Sequence, residues 1–320
     1  MKYIDMHCDT ITALYRENGS LSENNLHNDL NKMKKGECML QNFAVFTHIQ
    51  KDDSSFTKKA IDYYYKEIEE NKDIIRPVYT YQDILDNDSK GYISGMLTLE
   101  EGSVIDGDLK NLEWYYDKGV RMITLTWNFV NGIGYPNFIP GETEGDIMYH
   151  YDREHGLTDF GIEYVRKMEE LGMIVDVSHL SDAGFYDVLK YTSKPFVASH
   201  SNARALCGVA RNLDDDMIRK LSERGGVTGL NFCSVFIEDH NEEMTTIENM
   251  VRHIRHIADI GGIDCIGLGS DFDGIGNKLE IVDASGMQKL YMALKPYFSE
   301  EDIEKIFYKN VLRVYKEVLK

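Results

Sequence analysis

A 320-residue chain with 42% hydrophobic residues and only 5 prolines has enough material for a barrel-sized core and is composed to stay ordered. Its 35 basic and 54 acidic residues give a formal charge of −19, which argues against nucleic acid or an anionic membrane surface as a partner. The 5 cysteines (Cys8, Cys38, Cys207, Cys233 and Cys265) are scattered without a CxxC pair, which disfavours a structural zinc–thiolate site and favours a reduced, cytoplasmic setting.

The first segment, "KYIDMHC", reads as a strand, with Tyr3 and Ile4 as its β-favoured residues. No basic leader precedes it, and no apolar run reaches the length of a membrane span. "LQNFAVFTHI" and "YISGMLTLE" are the next strands. The helix "DLKNLEWYYDKG" then ends on a glycine suited to a left-handed cap. After the strand "VRMITLTW" comes the longest interruption, residues 128–156, rich in Gly, Asn and Pro. A loop of that length in a compact domain is expected to be a lid or a substrate wall. A helix from Thr158 to Gly172 follows, then the strands "GMIVDVSH" and "PFVASH", the helix "DDDMIRKLSERGG", and the strands "GGVTGLNF" and "CIGLGSD". The last helix opens on Ser299 and Asp302 as a capping box, with Ile303, Ile306, Phe307, Val311, Val314 and Val318 at helical spacing. Strands alternating with helices imply parallel βαβ units, and about eight of them predict a single (β/α)₈ TIM-type barrel domain over residues 1–320. No GxGxxG follows the first strand, which weakens a dinucleotide-binding sheet.

Barrel enzymes carry their chemistry where the strands end. His7 and Asp9 alone read as a packed histidine followed by a capping aspartate. In a strand, however, positions two apart share a side, so both could aim at one metal if the extended geometry lasts through Asp9. The pattern then repeats. Glu100 and Glu101 end one strand, His179 and His200 end two more, and Asp271 and Asp273 end the last. Imidazoles and carboxylates without a thiolate suit Zn²⁺, Mn²⁺, Co²⁺ or Fe²⁺. Their number is too great for one tetrahedral ion with an open position. It suits two ions about 3.5–4 Å apart that activate a water, hence hydrolysis of an amide, ester or related bond.

The pieces "DMHCDT", "LEEG", "GVRMITLTWNFVN", "GLTDFGIEYVRKMEELGMIVDVSHLSD", "PFVASHSNARALCGVARNLDD" and "GSDFDG" resemble, in that order, the renal or membrane dipeptidase family of metallopeptidases, within the amidohydrolase-like barrels. They extend from residue 5 to residue 274, and "NVLRVYKEV" near the end also fits. The resemblance implies that His7 and Asp9 hold one metal and that His179 and His200 hold the other. Glu100 then bridges the two ions; the register of "LEEGSVID" selects it over Glu101. Asp271 matches the residue that orients the bridging water and relays its proton to the leaving amine. Arg211 matches the arginine that takes the substrate's terminal carboxylate, for which a guanidinium fork is the fitting shape. The implied enzyme is a binuclear metallo-dipeptidase carrying two divalent ions, Zn²⁺ first and Mn²⁺ or Co²⁺ as alternatives. Its substrates are dipeptides, with tolerance for a D-residue at the second position, and a homodimer is compatible with it.

One position departs from the family pattern. Where "LTLTH" is common, this chain has "ITLTWN", with Trp127 in the place of a histidine that meets the substrate. An indole N–H donates one hydrogen bond but carries no charge or mobile proton. Asn128, Asn131, His150 or His155 are the candidates to replace it. That change also motivates a second reading, an amidohydrolase acting on N-acyl amino acids or another small amide. A third is a metal-stabilised binding protein without turnover. The remaining polar residues are expected to be structural. Glu101 reads as a solvated or helix-starting acid, and Asp273 with Gly274 as a turn. "DFDG" lacks the glutamate of a calcium loop. His48, His150, His155, His253 and His256 belong to helix or loop surfaces, and Cys8 packs on the opposite side of its strand from the ligands.

Overall fold

A computed structural model describes residues 1–137, 147–241 and 243–320. Eight parallel strands form its sheet: β1 (Tyr3–Cys8), β2 (Cys38–Phe46), β3 (Ile93–Glu100), β4 (Val120–Thr124), β5 (Ile174–Asp176), β6 (Val197–Ala198), β7 (Val227–Leu230) and β8 (Ile266–Leu268). The ring closes because β1 pairs with β2 on one edge and, through Asp5 opposite Leu268, with β8 on the other. These are the eight segments that the alternation of hydrophobic runs marks as strands. A short strand, Ile75–Pro77, adds to the first residues of β3, and Met244–Thr245 pairs with Lys278–Leu279 outside the ring. Among the described residues, no helix is long and apolar enough to cross a membrane.

The helix ends follow the chemistry of their caps. Thr158 accepts a hydrogen bond from the Gly161 amide at the start of Asp159–Leu171, and Gly172 ends that helix at φ +84°. Asp214 caps Asp215–Glu223 through the Met217 amide. Gly119, after Leu109–Asp117, sits at φ +89°, a conformation in which a Cβ is strained.

Several strands end earlier than their apolar runs. The runs before His179, His200 and Asp271 continue to those residues, yet pairing stops at Asp176, Ala198 and Leu268. Two buried carboxylates take over the backbone amides that would have continued the ladder. Asp176 Oδ1 accepts from the Ser178 and Ser199 amides at 3.0 and 2.8 Å, while Asp5 Oδ1 accepts from the His7 and Ser270 amides at 3.2 and 2.8 Å. Each carboxylate also takes the neighbouring serine hydroxyl, Ser199 or Ser270, at 2.6 Å. The chain is thereby released from the sheet to turn inward at the mouth. His179 and Asp271 turn at φ +70° and +61°, in the left-handed region that few side chains other than Asn and Asp enter readily.

The core has two parts. The larger packs the outside of the barrel against the helices. The smaller gathers Ile4, Met6, Leu40, Met96, Met122, Ile174, Val197 and Val227, which come from seven different strands, against Val311, Val314 and Tyr315 of the last helix. That helix is not the uniform one that its spacing predicts. Glu300–Glu304 and Asn310–Val318 are α-helical, but Lys305–Lys309 between them is a π-helical turn. Ile303, Ile306 and Phe307 before and within the turn pack into the outer core, whereas Val311, Val314 and Tyr315 after it enter the inner one. The insertion re-aims the helix from one to the other. Asn42, buried inside the barrel, donates to Tyr315 Oη at 2.7 Å and to the Met6 carbonyl at 3.1 Å.

Replacing Asn42 with alanine leaves both of those groups short of a buried partner. The expected loss is about 2 kcal/mol or more, read as a lower urea midpoint at an unchanged slope. An unaltered midpoint would mean that this network does not hold the helix in place.

Candidate metal centre

Every residue marked at a strand end, apart from Glu101 and Asp273, converges on one point at the barrel mouth. His7 is near the end of β1. The extended geometry stops at Cys8, one residue short of Asp9, which instead begins the helix Thr10–Glu17 at φ −95°, ψ 8°. The carboxylate still reaches the imidazole, with His7 Nε2 and Asp9 Oδ2 3.4 Å apart. Glu100, the last residue of β3, lies between two sets of groups. Its Oε2 is 3.4 Å from His7 Nε2, and its Oε1 is 3.0 Å from His179 Nε2 and 3.7 Å from His200 Nε2. The Nε2 atoms of His179 and His200 are 3.1 Å apart, and the rings of His7 and His200 stack at 3.9 Å. Asp271 Oδ1 stands 3.9 Å from His7 Nε2 while its Oδ2 accepts from the Asn231 side chain at 2.9 Å. Gly274, in "SDFDG", explains part of that motif. A Cβ there would lie 2.2 Å from Asp9 Oδ2 and 2.6 Å from Asp271 Oδ1.

The electrostatics are those of a cluster built for a cation. Burial pushes the Glu100 carboxyl up to about 7 against the pull of His7, with Asp9 adding to the rise. Burial also lifts Asp271 to about 6. His179 and His200 are held well below the usual histidine range by burial, aided by Arg211 and by His7, so each keeps a neutral ring with a lone pair to offer. For His7 burial opposes the charge, but Glu100 and Asp9 outweigh it and raise the ring well above its ordinary value. Both ring nitrogens of His7 and Oδ1 of Asp9 are buried without a hydrogen-bond partner among the described residues, a state that normally costs stability. The sets His7–Asp9–Glu100, Glu100–His179–His200 and His7–His200–Asp271 each place three ligand atoms within 4.8 Å of one another. Orphaned ligand atoms, facing lone pairs and crowded carboxylates all fit a metal centre.

A cavity of about 280 Å³ opens over the cluster, lined by Trp127, Asn128, Phe46 and Phe236 along with the acids. Arg211 is buried beside it. Its guanidinium donates to Ser201 Oγ and the His200 carbonyl, each at 3.2 Å, and lies over the Phe236 ring at 5.2 Å. Its Nε has no partner, and no carboxylate among the described residues pairs with it within 4 Å. Arg204, from the same segment, differs: it is paired in a fork with Asp182 at 2.7 and 2.8 Å. Trp127 is half-buried and pinned at both ends. Its amide donates to Glu101 Oε2 at 3.1 Å, and its ring packs on Phe46 at 4.9 Å, Phe129 at 5.2 Å and His48 at 5.5 Å.

Glu101 is a helix-starting acid but not a solvated one; it is fully buried, at φ +95°, and accepts from Ser103, Trp127 and Asn131. Asn131 is thereby tied up and cannot stand in for the missing histidine. Asn128 faces His179 instead, its Oδ1 2.8 Å from the ring Nδ1. Asp273 accepts from Thr10 and His27 away from the cluster. His253 is a core residue rather than a surface one, bonded to Ala203 N and Ile237 O. His48 belongs to the aromatic group around Trp127. His155 is exposed and pairs with Asp152. Residues 138–146 of the long loop lie outside the described residues. Asp5, Asp176, Ser199 and Asn231 support the site without being marked as strand ends by the sequence. The sequence signal for the two acids is a carboxylate set within an apolar run, in "IDMH" and "VDVS".

The family model for membrane dipeptidase (peptidase family M19) matches residues 1–320. An uncharacterized protein from the pqqA 5′ region of Klebsiella pneumoniae is 36% identical over 225 residues, covering 69% of this chain and 80% of its own. An uncharacterized dipeptidase of Schizosaccharomyces pombe is 32% identical over 94% of this chain and 73% of its own. Among solved structures, the metallo peptidase dipeptidase AC superposes with a TM-score of 0.90 at 25% identity, over 100% of this chain and 99% of that one. A metallo peptidase from Rhodobacter sphaeroides, liganded with a phosphinate mimic of the dipeptide L-Ala-D-Ala, shares the fold with a TM-score of 0.88 at 24% identity, over 99% of each chain.

The raised carboxyls set a pH dependence for protein stripped of metal. Glu100 and Asp271 bind protons more tightly folded than unfolded, so their stabilising share is complete below about pH 4 and is lost as pH rises through about 6 and about 7. Melting temperatures of stripped protein should therefore fall by several degrees between pH 5 and pH 7.5 relative to Glu100→Gln. A divalent ion should restore the wild type at pH 7.5. Parallel melting curves for the two proteins would contradict the assignment.

Proposed function

The chain belongs to the membrane dipeptidase family of metallopeptidases, and on that premise we propose that it hydrolyses dipeptides with two divalent ions held by His7, Asp9, Glu100, His179 and His200. The observation that carries this reading is Glu100, whose two oxygens face His7 on one side and His179 and His200 on the other. When bound, such ions supply an activated water and polarise the peptide carbonyl. Zinc is the first candidate for an imidazole–carboxylate set, with Mn²⁺ and Co²⁺ as alternatives. Five free thiols support a reduced, cytoplasmic setting.

The protein's own residues divide the remaining work. Arg211, buried without a carboxylate partner, receives the substrate's terminal carboxylate and offers it the paired donors of the guanidinium. That contact selects short substrates, because a longer chain would place an uncharged peptide group there. Asp271 is anchored through Oδ2 by Asn231, which leaves Oδ1 free toward the reacting water. That oxygen is placed to take a proton from the water and give it to the leaving amine. Phe46, Trp127 and Phe236 make the cavity apolar around the substrate and limit its water. Trp127 supplies a flat wall where the family pattern commonly has a histidine, and its indole N–H offers one neutral hydrogen bond in place of an imidazole.

Stripped protein, with Zn²⁺, Mn²⁺ or Co²⁺ added back, should release amino acids from L-L and L-D dipeptides, L-Ala-D-Ala included. Asp271→Asn should lower kcat by about 10²–10⁴-fold. Arg211→Met should act mainly on KM, by roughly tenfold to a hundredfold for a lost charge-assisted pair. Turnover of N-acyl amino acids alone would move the assignment to the related amidohydrolase reading.

A further inference from the structure

We infer that Asn128 is a positioning residue that fixes the proton of His179 on Nδ1 and so keeps Nε2 free for a metal. The inference rests on the binuclear reading above. Three imidazoles meet at the mouth, and their outer nitrogens are treated differently. His200 Nδ1 lies 2.7 Å from Ser199 Oγ, whose own hydroxyl is given to the buried Asp176 at 2.6 Å. His200 must therefore be the donor in that pair, and its Nε2 carries no proton. Among the described residues, the His7 ring has no hydrogen-bond partner at either nitrogen. His179 has Asn128 Oδ1 at 2.8 Å from Nδ1, while its Nε2 points at Glu100 Oε1 and His200 Nε2.

A neutral imidazole has one ring proton, and an amide oxygen can only accept it. With Oδ1 toward the ring, the Nδ1–H tautomer is the one that makes the bond. An outer partner of this kind orients a ligating histidine and sets its tautomer. The position is itself held from the preceding residue, because the Trp127 amide is tied to buried Glu101 and the Trp127 ring is wedged between Phe46 and Phe129. A carboxylate in place of the amide would add charge to a mouth already containing Asp9, Glu100 and Asp271. The neutral amide orients the ring without doing so. Asn128 thus serves the metal side of the reaction, although its place next to Trp127 makes it look like a substitute for the missing histidine.

The test uses metal alone as the probe. Stripped wild type, Asn128→Leu and Asn128→Asp are titrated with Zn²⁺ against a chromophoric chelator, with circular dichroism to confirm folding. Wild type should bind two equivalents. Asn128→Leu, which fills the space without an acceptor, should weaken one equivalent by about 10–100-fold and leave the other within about threefold of wild type, the scatter expected of context. Asn128→Asp keeps an acceptor and should rescue that equivalent to near wild-type affinity, even if turnover changes. Two unaltered equivalents in Asn128→Leu, or equal losses in both variants, would overturn the inference. Fewer than two equivalents in wild type would instead reject the binuclear reading. If Asn128→Leu does not fold, Asn128→Ser, which shortens the side chain and should weaken the same single equivalent, takes its place in the same comparison.

Discussion

Three carboxylates and three imidazoles share a few ångströms of buried space at the barrel mouth, and much of the architecture around them serves to hold that crowding together. Left to themselves, like charges out of water repel and orphaned nitrogens lose hydration. The protein constrains them from outside. Asp5 and Asp176 capture the backbone where the sheet would have continued. Asn231 fixes one oxygen of Asp271, and Gly274 leaves room for Asp9 and Asp271 to approach. His179 and Asp271 turn the chain inward at positive φ angles, a region open to His and Asp more than to most side chains. Divalent cations placed among these groups would relieve that repulsion.

The hydrogen bonds around the centre grade its three histidines. His200 is tied to a serine–aspartate relay, His179 to a neutral amide, and His7 to nothing but its ring stack on His200. Relays ending in a carboxylate raise a ligand's basicity more than an amide does. The three imidazoles are therefore not equivalent, although Glu100 reaches all of them. Arg211 adds a further asymmetry by placing an unpaired positive charge on the side of His200.

The barrel was legible in the sequence because each strand is a short apolar run closed by turn residues, and the caps at Thr158, Gly172 and Asp214 mark helix ends directly. The mouth was legible as a list of residue types. Its geometry was harder to read. Periodicity counts apolar residues, so it ran β5, β6 and β8 on into loops whose amides are in fact bound to Asp5 and Asp176. A buried acid inside a strand looks like an exception to the pattern, when here it is the cause of the strand's end. The π-helical turn at Lys305–Lys309 was invisible for a related reason: the positions on either side of it are all apolar and buried, but in different cores. His253 lies in the core rather than on the surface; helical spacing alone does not tell which face of a helix is covered.

The ring closes between β1 and β8, and the inner core is completed by Tyr315 reaching Asn42. During synthesis on a ribosome, β1 leaves the exit tunnel first and must keep one edge unpaired until β8 emerges more than two hundred residues later. At about 5–20 residues per second that wait is on the order of 15–50 s. Through it, the nascent chain exposes a strand edge and an apolar inner face, both of which invite association with other chains. The last helix ends the exposure by plugging the barrel floor. The hazardous interval in this protein's life is therefore its birth, when holdase chaperones would have the most to cover.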